Sequence, residues 1–171
     1  FPDDTNADDY RWNLAKAVIA LANSIGGVVL LGVGDDGRVV GIEASDPKGR
    51  RRTKGAEAFR REVILQQALL PANGWNTGRH GTFRLTNPAL LDRLVALEEV
   101  PHGGQSVLAI FVDPAPKDFG FVEVEVSKEG AATQRAVYLR KRGAVGQVVA
   151  VTGVQEDVLS AHEAQRQKLA G

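Results

Sequence analysis

The chain contains no cysteine and no methionine. Without cysteine there is no disulfide framework and no thiolate zinc site, which fits a cytoplasmic protein. Without methionine, Phe1 is not a natural start, so the chain reads as an excised or N-terminally truncated part of a longer protein. Aromatic residues make up only 6%, with two tryptophans and two tyrosines, so few rings are available to stack on bases. No apolar run approaches the roughly 20 residues that cross a bilayer, and nothing resembles a signal peptide, so no membrane partner is expected. His80, His102 and His162 lie far apart without ligand spacing, which argues against a zinc site. No G-x-S-x-G motif marks a nucleophile. Net charge is absent too, because 21 basic and 21 acidic residues cancel.

That neutrality hides a segregation. Residues 1–47 carry 3 basic and 8 acidic side chains, whereas residues 48–84 carry 9 and 2. Residues 85–139 return to 4 and 8, and residues 140–171 hold 5 and 3. A basic segment within a neutral chain is the kind of asymmetry that serves a polyanionic partner. With 171 residues, 43% hydrophobic and 25% charged, the whole chain is expected to form one domain, 1–171, with a genuine core.

Asp8 or Asp9 is placed to cap a helix running to about Ser24. Its apolar face would be Leu14, Val18, Leu21, Ala22 and Ile25, and Gly26-Gly27 would end it. Residues 28–33 form a β-branched and leucine run of strand length, expected to be buried on both faces. Residues 38–42 read as a second strand after a turn. Residues 57–70 follow helical spacing up to Pro71, and residues 72–81 read as loop. Residues 88–93 suggest a short helical turn. Residues 94–100 and 106–112 suggest a hairpin, residues 119–126 and 136–141 further strands, and residues 155–169 a polar terminal helix. The class expected is α+β, a mixed sheet with flanking helices.

Gly32-Val33-Gly34-Asp35-Asp36-Gly37 spells G-x-G-x-x-G, the outline of a dinucleotide-binding loop. Such a loop needs a helix opening at its last glycine, and Arg38-Val39-Val40-Gly41-Ile42 has strand character instead. Asp35 and Asp36 would also repel a pyrophosphate, and no Gly-Lys-Ser/Thr follows. The glycines therefore read as a turn. The two aspartates are either turn formers or a carboxylate pair awaiting a divalent cation and further carboxylates.

The same residues carry a likeness. Ala20-Leu21-Ala22-Asn23-Ser24-Ile25-Gly26-Gly27-Val28-Val29-Leu30-Leu31-Gly32-Val33, followed by Asp35-Asp36-Gly37-Arg38-Val39-Val40-Gly41, resembles the signature of Schlafen-type AlbA_2 domains. Ser106-Val107-Leu108-Ala109-Ile110-Phe111-Val112-Asp113-Pro114 and Tyr138-Leu139-Arg140-Lys141-Arg142-Gly143 are similar to its later motifs in order and spacing. The likeness covers about residues 13–143. It implies an α+β fold and a role in nucleic-acid binding, often DNA binding in bacterial members. Vertebrate relatives add a metal-dependent RNase centre, and Asp35 or Asp36 matches its turn aspartate as catalytic and metal-binding residue. The upstream glutamate strand of that centre has no counterpart and would fall before Phe1. Asp3, Asp4, Asp8 and Asp9 do not reproduce it, so this chain by itself is expected to be inactive. Ala144 stands where the family often has serine. Those relatives also pair two such lobes in one chain, which implies a homodimer here.

Lys48, Arg50, Arg51, Arg52 and Lys54 place five cations in seven residues. They are either a solvated loop or an arm contacting phosphates. Arg60 and Arg61 would extend such a patch, and Arg140, Lys141 and Arg142 would form a second. Trp75 could stack on a base, but the core edge is the better place for it. The expectation is a domain binding DNA or RNA through backbone phosphates, with no cofactor required. The alternatives are a Schlafen-type RNase using Mg or Mn, and a nucleotide-binding or protein-interaction module.

Overall fold

The computed structural model describes residues 7–42, 61–140, 148–152 and residue 164. Helix α1 (Ala7–Ala22) opens the described chain. Asp8 and Asp9 lie within its first turn, where a negative charge favours the helix N-terminus, rather than at the cap expected for them. Ala15, Val18, Ile19 and Ala22 are fully buried along one side. Ile25 lies beyond the helix end and is exposed, so the apolar face stops one turn earlier than its spacing suggests.

The helix stops where the amides of Ser24 and Gly26 both donate to the Leu21 carbonyl, at 3.0 Å each. Gly26 sits at φ 76°, and a Cβ there would lie 2.4 Å from the Val112 carbonyl oxygen. Only glycine takes this left-handed turn against a neighbouring strand without a clash.

Strand β1 (Gly27–Leu31) follows at once. The described segment expected to be helical is α2 (Arg61–Val63), which widens into a π-helix over Ile64–Leu69. The loop expected at 72–81 holds a two-residue strand, β2 (Trp75–Asn76), and a 3-10 turn, Gly78–His80. Strand β3 (Thr82–Leu85) then leads to α3 (Pro88–Leu94), where the Asn87 side chain accepts from the Leu90 amide. The hairpin is β4 (Val95–His102) and β5 (Gln105–Val112), joined by Gly103-Gly104. A 3-10 turn, Lys117–Phe119, precedes β6 (Glu123–Ser127), β7 (Gln134–Arg140) and β8 (Val148–Thr152).

The α+β class holds. Its described strands form two sheets, antiparallel throughout, where a mixed sheet was expected. The first has the order β1-β5-β4 and the second β2-β3-β6-β7-β8. Both press their inner faces on one hydrophobic cluster around α1. Trp12 is at its centre, stacked on Phe83 at 4.2 Å and meeting Trp75 at 5.0 Å and Tyr138 edge-on at 5.2 Å.

Three further expectations need correction. Residues 28–33 are not buried on both faces: β1 is an edge strand, and Val28 and Leu30 stand exposed. Residues 38–42 form no strand, only a single bridge between Val33 and Val39. The strand placed at 119–126 begins at Glu123, because Phe119 belongs to the 3-10 turn. The terminal helix expected at 155–169 falls outside the described residues, apart from residue 164. No helix among the described residues is long and apolar enough to cross a membrane.

Candidate nucleic-acid interface

The glycine loop closes on itself. Gly34 donates to the Arg38 carbonyl, Gly37 to that of Gly34, and Val40 and Gly41 both to that of Gly32, each at 2.9 Å. The Arg38 amide donates to Asp36 Oδ1 at 3.1 Å. A phosphate cradle needs amides that point outward and free, and these five are already committed inside the turn. Gly32 is required by close approach, since a Cβ on it would lie 2.9 Å from the Gly41 carbonyl carbon. The turn reading of G-x-G-x-x-G is therefore the one the geometry supports.

Asp36 is a turn former in the literal sense. One of its oxygens caps the Arg38 amide, and the other lies 3.4 Å from the Arg38 guanidinium, with both side chains largely in solvent. Asp35, beside it, makes no hydrogen bond or ion pair among the described residues. No group of three or more acids or histidines that could hold a metal occurs among the described residues. A divalent cation such as Mg or Mn would thus find two adjacent carboxylates, one of them held by an arginine. That donor set does not by itself make a metal centre.

Of the cations singled out in the sequence, Arg61 and Arg140 are described, and both are exposed. Arg61 begins α2, which lies against β4 of the first sheet. Arg140 ends β7 of the second sheet, opposite Val148. Arg61 thus lies beside the first sheet and Arg140 on the second. Lys48, Arg50, Arg51, Arg52, Lys54, Arg60, Lys141 and Arg142 lie outside the described residues.

Trp75 is buried, and its indole N–H donates to the Ala68 carbonyl at 2.8 Å. It plugs the core edge, as favoured, and is removed from any role in base stacking.

The residue that sequence reading passed over is Asn23. It is fully buried at the end of α1. Its amide nitrogen donates to the carbonyls of Val122 at 3.0 Å and Tyr138 at 3.1 Å, and its oxygen accepts from the Val122 amide at 2.7 Å. One side chain thus clamps α1 to the approach to β6 and to β7, two residues before Arg140. An asparagine amid the apolar spacing of a helix end was the available signal, because burial is tolerable only when such a group is fully hydrogen-bonded. Nearby, Ala115 donates its amide to the Ala22 carbonyl at 2.8 Å, and β1 pairs with β5 from Gly27 with Val112 to Leu31 with Leu108. The three motifs that are far apart in the chain therefore converge on the C-terminal end of α1.

The family model for Schlafen, AlbA_2 matches residues 2–148. The chain belongs to the Schlafen AlbA_2 family. That match takes in the turn aspartates, the basic segment and β7, and the family is associated in general with nucleic acids. No curated protein matches the chain. Within this AlbA_2 domain the described parts of the three motifs have structural work: Asn23 with Tyr138, Gly26 with Val112, and Gly32 with Gly41. The first two build the end of α1 from which β1 and β7 are held, and the third closes the turn at the far end of β1. Burial also pushes the Tyr138 phenol up to about 12, so it is neutral at physiological pH and serves packing.

Proposed function

We propose that this AlbA_2 domain binds nucleic acid through backbone phosphates. One contact arm is Lys48, Arg50, Arg51, Arg52 and Lys54, extended by Arg60 and Arg61. The other is Arg140, Lys141 and Arg142 at the end of β7. The observation that carries the reading is the charge segregation, 9 basic against 2 acidic residues over 48–84, inside a family associated with nucleic acids. Arg61 and Arg140 support it further: both are exposed, and neither side chain has an ion-pair or hydrogen-bond partner among the described residues. Contacts of this kind give affinity and position rather than sequence specificity. Each phosphate neutralised releases counterions, so affinity should fall linearly on a log–log plot against salt.

The test is fluorescence anisotropy of labelled single- and double-stranded RNA and DNA, titrated at several salt concentrations. Replacing Arg50, Arg51 and Arg52 together by alanine should flatten the salt slope by about 2 to 3. Arg140→Ala should flatten it by about one unit more if β7 supplies the second arm. No binding to any of the four polymers at low salt overturns the proposal. The domain is further proposed to act as a pair of identical chains, as its resemblance to two-lobed relatives implies, and light scattering reads this directly.

A further inference from the structure

The exposed large hydrophobic side chains are not scattered. Among the described residues Ile25, Val28, Leu30, Val40, Val100 and Phe111 all lie on or beside the first sheet, and Phe119 stands apart. The register puts most of them on one side. Val28 faces Phe111 across β1 and β5, Leu30 faces Ala109, and Val100 faces Val107 across β4 and β5. Directly opposed residues of antiparallel strands share a face. This outer face therefore presents Val28, Leu30, Phe111 and Val100 to solvent, at 49%, 51%, 41% and 39% exposure, with Ala109 and Val107 buried among them and one charge, the exposed Glu98 opposite Ala109. A largely apolar exposed face of this kind marks an interaction surface.

The two edges of the sheet differ. The β4 edge carries Glu98, Glu99 and Pro101, the charges and the missing amide donor that discourage strand addition. The β1 edge is Gly-Val-Val-Leu-Leu, with no charge and no proline. Over residues 33–42 the chain does not run back along β1. Ile42 instead donates to the Ser106 carbonyl at 2.8 Å, and Gln105 Nε2 reaches the Val40 carbonyl, both beside β5. The outer edge of β1 is left without a partner among the described residues.

We infer that a second copy of this chain pairs antiparallel with β1 across a two-fold axis at Val29. This rests on the pairing proposed above and gives it a surface. A two-fold at Val29 sets Val28 of one copy opposite Leu30 of the other, so the exposed pair is its own complement. The result is a continuous six-stranded sheet whose outer face is apolar but for Glu98 of each copy, two strands away from the paired edges. No charge meets its like, because β1 has none, whereas pairing through β4 would juxtapose the glutamates. That charge pattern is what selects a second copy at β1.

The test begins with light scattering of the 171-residue chain over a range of concentrations, beside a Val28→Lys/Leu30→Lys variant checked for folding by circular dichroism. The wild type should dimerise, and the variant's dissociation constant should rise about tenfold or more. Single variants Val28→Cys and Leu30→Cys supply a second, register-specific readout, since the chain has no cysteine of its own. Opposed residues lie close enough for a disulfide. On oxidation a mixture of the two should form a covalent dimer, while neither alone should. A monomeric wild type overturns both the pairing and this surface. A dimer that survives the lysines and leaves the mixed cysteines uncrosslinked overturns the surface only. Lysines that lower thermal stability without changing mass would assign the face to the chain's own residues 43–60, and would overturn it too.

Discussion

The two sheets of this AlbA_2 domain share a core but treat solvent in opposite ways. On the second sheet, Arg84, Glu125 and Arg135 stand side by side across β3, β6 and β7, and Arg135 also reaches Glu123 at 3.6 Å. Toward β8 this side turns apolar at Val137 and Leu139, and both are buried. The outer face of the first sheet shows no such lacing: Glu98 is its one charge, and Val28, Leu30, Phe111 and Val100 stay exposed around the buried Ala109 and Val107. Alternating charge is how a half-buried sheet meets water. An uncharged edge beside an apolar face is how one meets another strand. The comparison puts the proposed association surface on the first sheet and Arg140, of the second proposed contact arm, on the other.

The end of α1 is where the comparison can be broken hardest, because separate residues tie it to each sheet. Asn23→Ala would strip the buried Val122 amide and the Val122 and Tyr138 carbonyls of their partner, loosening the second sheet by about 2–4 kcal/mol. Asn23→Asp should cost more, since a carboxylate would face those carbonyls in a buried site. Urea unfolding of both variants, with slopes compared to wild type, checks the order.

Gly26→Ala strikes the tie to the first sheet. Its Cβ would meet the Val112 carbonyl at a left-handed φ, and a loss of about 1–3 kcal/mol is expected in the same experiment. If Gly26→Ala loosened the Asn23 clamp instead, hydrogen exchange at Val122 would rise, and the separation of the two ties would fail.

Tyr138 sharpens the comparison through pH. Burial raises its folded pKa from 10.0 to about 12, so the folded chain favours the neutral phenol. That contribution is fully present below about pH 10 and declines as pH rises toward about 12, through the folded pKa. Unfolding free energies measured across this window should fall with pH in wild type and less so in Tyr138→Phe.

The smallest effect belongs to the charged face. Arg135→Ala removes a solvent-exposed pair with Glu123 and should change stability by less than about 0.5 kcal/mol. A loss several times larger would show that this face is not simply solvated.

Much of the local structure was legible in the order of residues. The period of Val18, Leu21 and Ala22 and the Gly26-Gly27 stop give α1 to within a few residues, and the spacing around Pro101 to Gln105 gives the hairpin. The resemblance carried by residues 20–41 placed the chain in its family. β2 and β3 were not legible, because Trp75-Asn76 is too short and 72–81 too rich in turn residues to show a period. The candidate site was legible only in part. The basic segment is a property of composition, whereas the separation of Arg61 from Arg140 is not.

By itself, then, the sequence determined what short-range chemistry controls: the helix period, the turn glycines, the segregated charge and the family. Tertiary structure alone decided which strand became an edge. Val28 and Leu30 read as core residues in any window of the chain, since burial on one face or two depends on neighbours about 80 residues away in β5. It also decided the task of Asn23, a polar residue that is costly until Val122 and Tyr138 arrive to share its hydrogen bonds.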